Sequence, residues 1–191
     1  MGAIDNPPLL TRHRLSVADY YRMGEAGIFA PDARVELIEG EVIDMAPIGT
    51  RHGSAVKRLV ALLTSALGAR VIVAVQDPLR LNELSEPEPD LMLLKPRADF
   101  YADAHPTAAD VLLLIEVADT SARYDREIKL PLYARHGVPE VWLVDLEARL
   151  LRFYSQPAGD AYAQSSTSAS PGRRSIAALP GIEIDLAQIL G

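Results

Sequence analysis

Three charged residues stand against apolar runs, where charge is costly. Asp90 opens the run Asp90-Leu91-Met92-Leu93-Leu94, and Glu116 lies near the end of Val111-Leu112-Leu113-Leu114-Ile115-Glu116-Val117. Lys129 follows in Arg126-Glu127-Ile128-Lys129-Leu130. A carboxylate near the end of an apolar strand has to be compensated, and a metal ion or a cation is the usual means. Two carboxylates and a lysine converging at strand ends are what metal-dependent phosphodiester hydrolysis needs. The acids would hold the ion, and the ammonium would orient the attacking water or neutralise charge developing on a phosphorane-like transition state. Without a divalent cation the two carboxylates would repel each other.

Each residue also has a plainer reading. Glu116 could form a buried ion pair with an arginine such as Arg123. Asp90, after Pro89, suits turn chemistry when taken alone. Lys129 and Asp125 stand at i, i+4, the spacing of an exposed helical ion pair worth about 0.2–0.5 kcal/mol. Glu36 shares a strand face with Ile38, and a third carboxylate near the metal and a surface strand residue are equal readings of it. His52 opens a helix whose dipole disfavours imidazolium, which suits a neutral, proton-accepting or phosphate-contacting histidine as well as a simple helix-start residue. Tyr133 and Trp142 read as core aromatics.

The bulk composition narrows the classes. At 191 residues, 49% hydrophobic and 24% charged, the chain reads as one domain able to bury a core. There are no cysteines, so any metal would be held by oxygen or imidazole. No apolar stretch approaches the roughly 18 residues of a membrane span. The N-terminus lacks the basic and apolar regions of a signal peptide, so no membrane association and a cytoplasmic location are expected. A net charge of −7 counts against a protein that coats nucleic acid, though not against an enzyme with a carboxylate-rich metal site. Only three of the 19 basic residues are lysines, so the lysine at 129 stands out in a chain that otherwise chooses arginine.

These residues need elements to position them. Residues 1–14 read as a flexible arm. Ser16-Val17-Ala18-Asp19 resembles a capping box and starts a helix to about Glu25, with Gly27 as its stop. Residues 34–38 and 41–45 flank Glu39-Gly40 as a hairpin. Helical spacing covers 52–67, and strands are expected at 71–75, 79–81, 90–94 and 111–117. A helix from about 122 to 136 ends at Gly137, followed by strands at 141–144 and 150–154. Residues 156–172, rich in Ser, Ala, Gly and Pro, read as mobile, and the segment from Ile176 to Leu190 ends in a short amphipathic piece. The order predicts one mixed sheet with helices on its faces.

In order along the chain, Glu36-Leu37-Ile38-Glu39-Gly40-Glu41, His52, Pro89-Asp90, Leu114-Ile115-Glu116-Val117 and Asp125 with Lys129 and Tyr133 are followed by Gly137 to Asp145 and by Leu179-Pro180-Gly181. This set resembles the Uma2 family of predicted endonucleases over roughly residues 14–190. That family is similar in fold to restriction endonucleases, the PD-(D/E)xK superfamily. The resemblance implies an α/β (α+β mixed) fold with a restriction endonuclease-like core: a mixed central sheet flanked by helices, with β-hairpins, as a single domain over 15–191. It further implies a divalent metal, Mg²⁺ with Mn²⁺ as the alternative, held by Asp90 and Glu116. Glu36 would support the metal, and Lys129 and His52 would complete the catalytic set. The lysine of the superfamily pattern, two residues after the second acid, is replaced here by Ala118, and Lys129 is the candidate to fill its role. Where the family often has Leu-Ser-Pro, this chain has Ala118-Asp119-Thr120, which leaves Asp119 as a further ligand or a distractor. The expected function is hydrolysis of DNA, with RNA left open, by a homodimer on the analogy of restriction enzymes. The opposing class is a non-catalytic nuclease-fold module that binds nucleic acid or a protein partner.

Overall fold

Strands that are apolar on both faces are driven to the middle of a molecule, and here they build a six-stranded sheet. The structure is a computed structural model and describes residues 11–187, 189 and 190. In chain order come helix α1 (Val17–Glu25), strands β1 (Val35–Ile38) and β2 (Glu41–Asp44), helix α2 (Thr50–Leu67), and strands β3 (Ile72–Val75), β4 (Leu91–Leu94) and β5 (Val111–Ala118). A helical run follows: α3 (Ala122–Tyr124), a π turn (Asp125–Lys129) and α4 (Leu130–Arg135). Strands β6 (Glu140–Asp145), β7 (Leu150–Ala158), β8 (Ala161–Ser168), β9 (Arg173–Ile176) and β10 (Leu179–Asp185) complete the chain.

The central sheet has the order β3-β4-β5-β6-β7-β8, with β5 and β6 parallel and the other neighbours antiparallel. A parallel pair needs a crossover, and the helical run 122–135 is that crossover. On one face, α2 buries Leu59 and Leu63 against Leu91, Leu93, Leu113, Ile115 and Trp142. Each such leucine stabilises the fold by about 1.5–3 kcal/mol. On the other face, Met92, Leu94, Leu114 and Val141 pack against Tyr133 and Val138. Side chains alternate along a strand, so Glu116 shares the face of Leu114, the one covered by the crossover helix.

Local signals account for most of the ends. Ser16 and Asp19 form both bonds of the expected capping box. Glu39 and Gly40 both have positive φ, which is what a two-residue hairpin turn requires. A Cβ on Gly40 would stand 2.5 Å from the Cβ of Arg14, so the turn also needs glycine for space. Among the described residues no helix is long and apolar enough to cross a membrane.

Two expectations fail. Residues 79–81 form no strand: Leu79 and Leu81 bond to the carbonyls of Pro87 and Ser85 in an irregular loop, with one isolated bridge from Arg80 to Thr107. The apolar–polar alternation there comes from Leu79 turning into the core while Arg80 pairs with Glu86. Residues 156–172, expected to be mobile, supply β8, which pairs with β7 from Leu151↔Ser168 to Ala158↔Ala161. An edge strand with neither face fully buried carries no apolar alternation, so polar composition concealed it. Of the arm expected over 1–14, residues 1–10 lie outside the described residues; residues 11–14 form no regular element.

Candidate active site

Register brings the two acids together. Leu91 of β4 stands opposite Ile115 of β5, so one step back along β4 and one forward along β5 bring Asp90 and Glu116 side by side. The backbone N–H of Val117 donates to Asp90 Oδ2 at 2.8 Å, and that of Asp90 faces Glu116 Oε2 at 3.4 Å. Asp90 is held further by His52, whose Nε2 lies 3.0 Å from Oδ2, and by Gln76, whose Nε2 donates to Oδ1 at 3.2 Å. His52 comes from the first turn of α2, and Gln76 follows β3 with a positive φ.

Lys129 closes the site from the crossover helix. Its Nζ lies 2.9 Å from Glu116 Oε1 and 3.2 Å from Glu36 Oε2, and all three residues are buried, Lys129 at 4% exposure. Glu36 projects from β1, which is bridged to the chain before β4 at Leu37↔Glu86, and it accepts the N–H of Glu88 at 3.1 Å. The π turn sets the helical phase. In a π turn residues five apart share a face, whereas in an α-helix they point about 140° apart. Tyr124 and Lys129 are five apart, and both reach Glu36, the tyrosine hydroxyl at 3.5 Å. One α-turn further on, Tyr133 donates its hydroxyl to Glu116 Oε1 at 2.6 Å.

The plainer sequence readings do not describe this arrangement. Arg123 pairs with Glu127 on the surface, leaving Glu116 to Lys129. Asp125 and Lys129 are both buried, and Asp125 accepts from the Ser121 hydroxyl at 2.8 Å. Asp119 pairs with Arg51 at 3.2 Å. Tyr133 is a core aromatic as expected, but its hydroxyl belongs to the site. Its spacing of four from Lys129 was the available signal; for Gln76 and Glu88 the sequence offered none.

Electrostatics divide the two acids. Burial pushes Glu116 up to about 8, the neighbouring Lys129 only partly opposing it. Burial alone would pull Lys129 down, but Glu116, Tyr133 and Glu36 outweigh it and hold the amine well above its ordinary range. Lys129 is therefore a fixed ammonium, not a base. Burial would raise Asp90, but the hydrogen bond and charge of His52 and the N–H of Val117 hold it below its usual value. His52 is raised in turn, chiefly by its bond to Asp90. Its Nδ1 is a buried nitrogen with no partner among the described residues.

The acids open onto a cleft of about 480 Å³, walled by β2 and the residues after it, the start of α2 and the turn before α3. Among the described residues no three His, Asp or Glu side chains are grouped to hold a metal ion by themselves. Glu36 faces Lys129 instead of completing such a trio. The donor set still fits a hard divalent cation of the Mg²⁺ type, which is commonly bound through one or two carboxylates with water and substrate phosphate filling the remaining positions. Among the described residues, Glu116 Oε2 has only the long contact to the Asp90 N–H. A positive charge arriving beside Glu116 would draw off the proton that burial retains.

Known proteins bear on this geometry in two ways. The model of the Uma2 family, described as "Putative restriction endonuclease", matches residues 17–187. The fold is similar to the crystal structure of a putative nuclease belonging to DUF820 from Anabaena variabilis, with 12% identity and a TM-score of 0.72 over 92% of this chain and 97% of that one. At that identity the likeness is one of fold. No curated protein matches the chain.

Proposed function

Because the chain belongs to the Uma2 family of putative restriction endonucleases, we propose that it is a divalent-metal-dependent endonuclease hydrolysing phosphodiester bonds of DNA at the Asp90–Glu116–Lys129 cleft. The observation that carries this reading is the position of Lys129 Nζ, buried between Glu116 and Glu36 beside Asp90 at the cleft floor. An ammonium kept charged in a water-poor site is suited to oppose negative charge developing on a phosphoryl group. Asp90 and Glu116 would hold the ion, which would supply a bound water of lowered pKa and positive charge against the phosphate.

The remaining residues orient these three. Glu36, with Tyr124 beside it, fixes the direction of Lys129. Tyr133 pins Oε1 of Glu116 and leaves Oε2 to the ion. His52, Gln76 and the Val117 N–H hold Asp90 ionised and in one rotamer. Lys129 on the helix thus takes the place that Ala118 leaves on the strand. Ala118 is fully buried, and its carbonyl accepts the N–H of Leu146 at 2.8 Å.

Supercoiled plasmid DNA with Mn²⁺ tests the reading. Wild type is expected to nick it, and Glu116→Ala and Lys129→Ala to lose about 100-fold or more. Equal nicking by all three proteins would mark the activity as a contaminant and overturn the site. Calorimetric titration with Mn²⁺ separates the enzyme from a nuclease fold kept for binding alone. Metal-dependent heat in wild type, lost in Asp90→Ala, is expected, and its absence in wild type would overturn the enzyme reading.

A further inference from the structure

The walls of the cleft differ from its floor. Beyond the acids and Lys129, one side carries apolar groups: Ile43, Met45, Pro47 and Ile48 lie along β2 and the chain leading to α2, with Asp44 among them, and Tyr124 faces the same cleft. Ile48 is 46% exposed and lines the cleft. It lies against the first turn of α2, where a Cβ on Gly53 would meet Ile48 Cγ2 at 3.5 Å, an ordinary van der Waals distance. Arg34 ties this wall down by donating to the Ala46 carbonyl at 3.1 Å.

Charge along the cleft points away from a double helix. Seven carboxyl residues line it against two permanent cations, Arg34 and Lys129, and Lys129 is already engaged by Glu116 and Glu36. Arg51, outside the lining, pairs with Asp119. A protein that grips duplex DNA neutralises about 6–10 phosphates with Lys and Arg, and this cleft has no such row. A cleft of about 480 Å³ instead matches a single small-molecule-sized group. Unpaired strands are bound by stacking their bases on apolar and aromatic side chains, and only an unstacked base can leave its neighbours to do so.

Resting on the nuclease reading above, we infer that the substrate is an unpaired DNA strand, with the base beside the scissile phosphate unstacked against Met45, Ile48 and Tyr124. The phosphate then reaches Lys129 at the floor while the base occupies the apolar wall. A paired base must first leave its stack and its partner to turn into the cleft, so the enzyme discriminates by strand state through the wall and not by reading base edges.

One oligonucleotide sequence, prepared as a single strand, as a full duplex and as a duplex with a central unpaired bulge, tests this with Mn²⁺. Bis(p-nitrophenyl) phosphate, a phosphodiester with no base to stack, serves as a separate probe. Single strand and bulge are expected to be cut at least tenfold faster than duplex. In Ile48→Asp, which puts charge on an exposed position, the single strand is expected to be cut at least tenfold more slowly, whereas Ile48→Phe retains the preference. Duplex cleaved as fast as single strand, or Ile48→Asp with undiminished single-strand cleavage, would overturn the inference while hydrolysis of the small diester upholds the nuclease. Failure to hydrolyse any of the four substrates would overturn both.

Discussion

Glu116 and Glu140 are buried carboxylates on adjacent parallel strands, but they face opposite sides of the sheet and are satisfied differently. Glu140, at the start of β6, accepts the indole N–H of Trp142 at 2.6 Å through Oε1 and the backbone N–H of Ala177 at 2.8 Å through Oε2. Both oxygens have neutral, rigid donors, and the second ties the β9–β10 hairpin to the sheet. Glu116 has a cation and a hydroxyl on one oxygen and a single long contact on the other, which faces a cleft. Burial alone therefore does not mark a functional acid. What distinguishes Glu116 is unused capacity directed at an opening, in a place where a second carboxylate and an ammonium already converge.

The largest separation between the two acids should be in catalysis. Glu116→Ala is expected to lose at least about 100-fold in Mn²⁺-dependent cleavage, and Glu140→Ala to stay within about threefold once compared at a temperature where both are folded. Similar losses in both would erase the distinction drawn here.

Thermal unfolding should rank the acids the other way for their neutral replacements. Glu140→Ala strands the buried indole N–H of Trp142 at about 1–3 kcal/mol and unties the N–H of the exposed Ala177. For a chain of this size, about 2–4 °C per kcal/mol implies a Tm lower by roughly 2–12 °C. Glu116→Gln keeps an acceptor for Tyr133 and Lys129 and removes a group that burial disfavours as an anion, so its Tm near neutral pH should change less. A Glu140→Ala protein as stable as wild type would show that the hairpin is held by something else.

The smallest and most specific difference lies in pH dependence. Folded Glu116 keeps its proton up to about 8, whereas its ordinary value is 4.5. A folded pKa raised in this way contributes stability that is complete below about 4.5 and lost as pH rises through about 8. In the absence of metal, wild type should therefore lose stability across this window relative to Glu116→Gln, by an amount on the order of a few kcal/mol. Parallel curves for the two proteins, measured by denaturant unfolding across the window, would show that Glu116 is ionised in the folded chain.

Asp90, Glu116 and Lys129 were legible in the sequence because each interrupts or adjoins an apolar run, and a charge in such a place needs a partner. The mixed sheet was legible too, since β4, β5 and β6 are apolar on both faces and the Glu39-Gly40 turn needs positive φ. The site's supports were not. Tyr133 sits at an apolar position and looks like packing, because only its terminal oxygen is polar. Gln76 and Glu88 reach the site through the path of the chain around β4, and one of them does so with a backbone N–H that carries no sequence signal. The π turn has no composition of its own, so a continuous helix was the natural expectation over 122–136.

That π turn amounts to one additional residue accommodated inside a helix, and it lets this short segment change length by one residue without turning the site away. Removing the exposed Arg126 would let the run recover uniform α pitch. Tyr124 and Lys129 would then stand four apart, about 40° round the helix and still on one face, with the sheet and both hairpins untouched. A single codon lost at this point would thus leave a well-folded protein whose centre keeps its facing side chains. Along a lineage, the presence of the lysine would be a sharper record of retained chemistry than the length of this short segment.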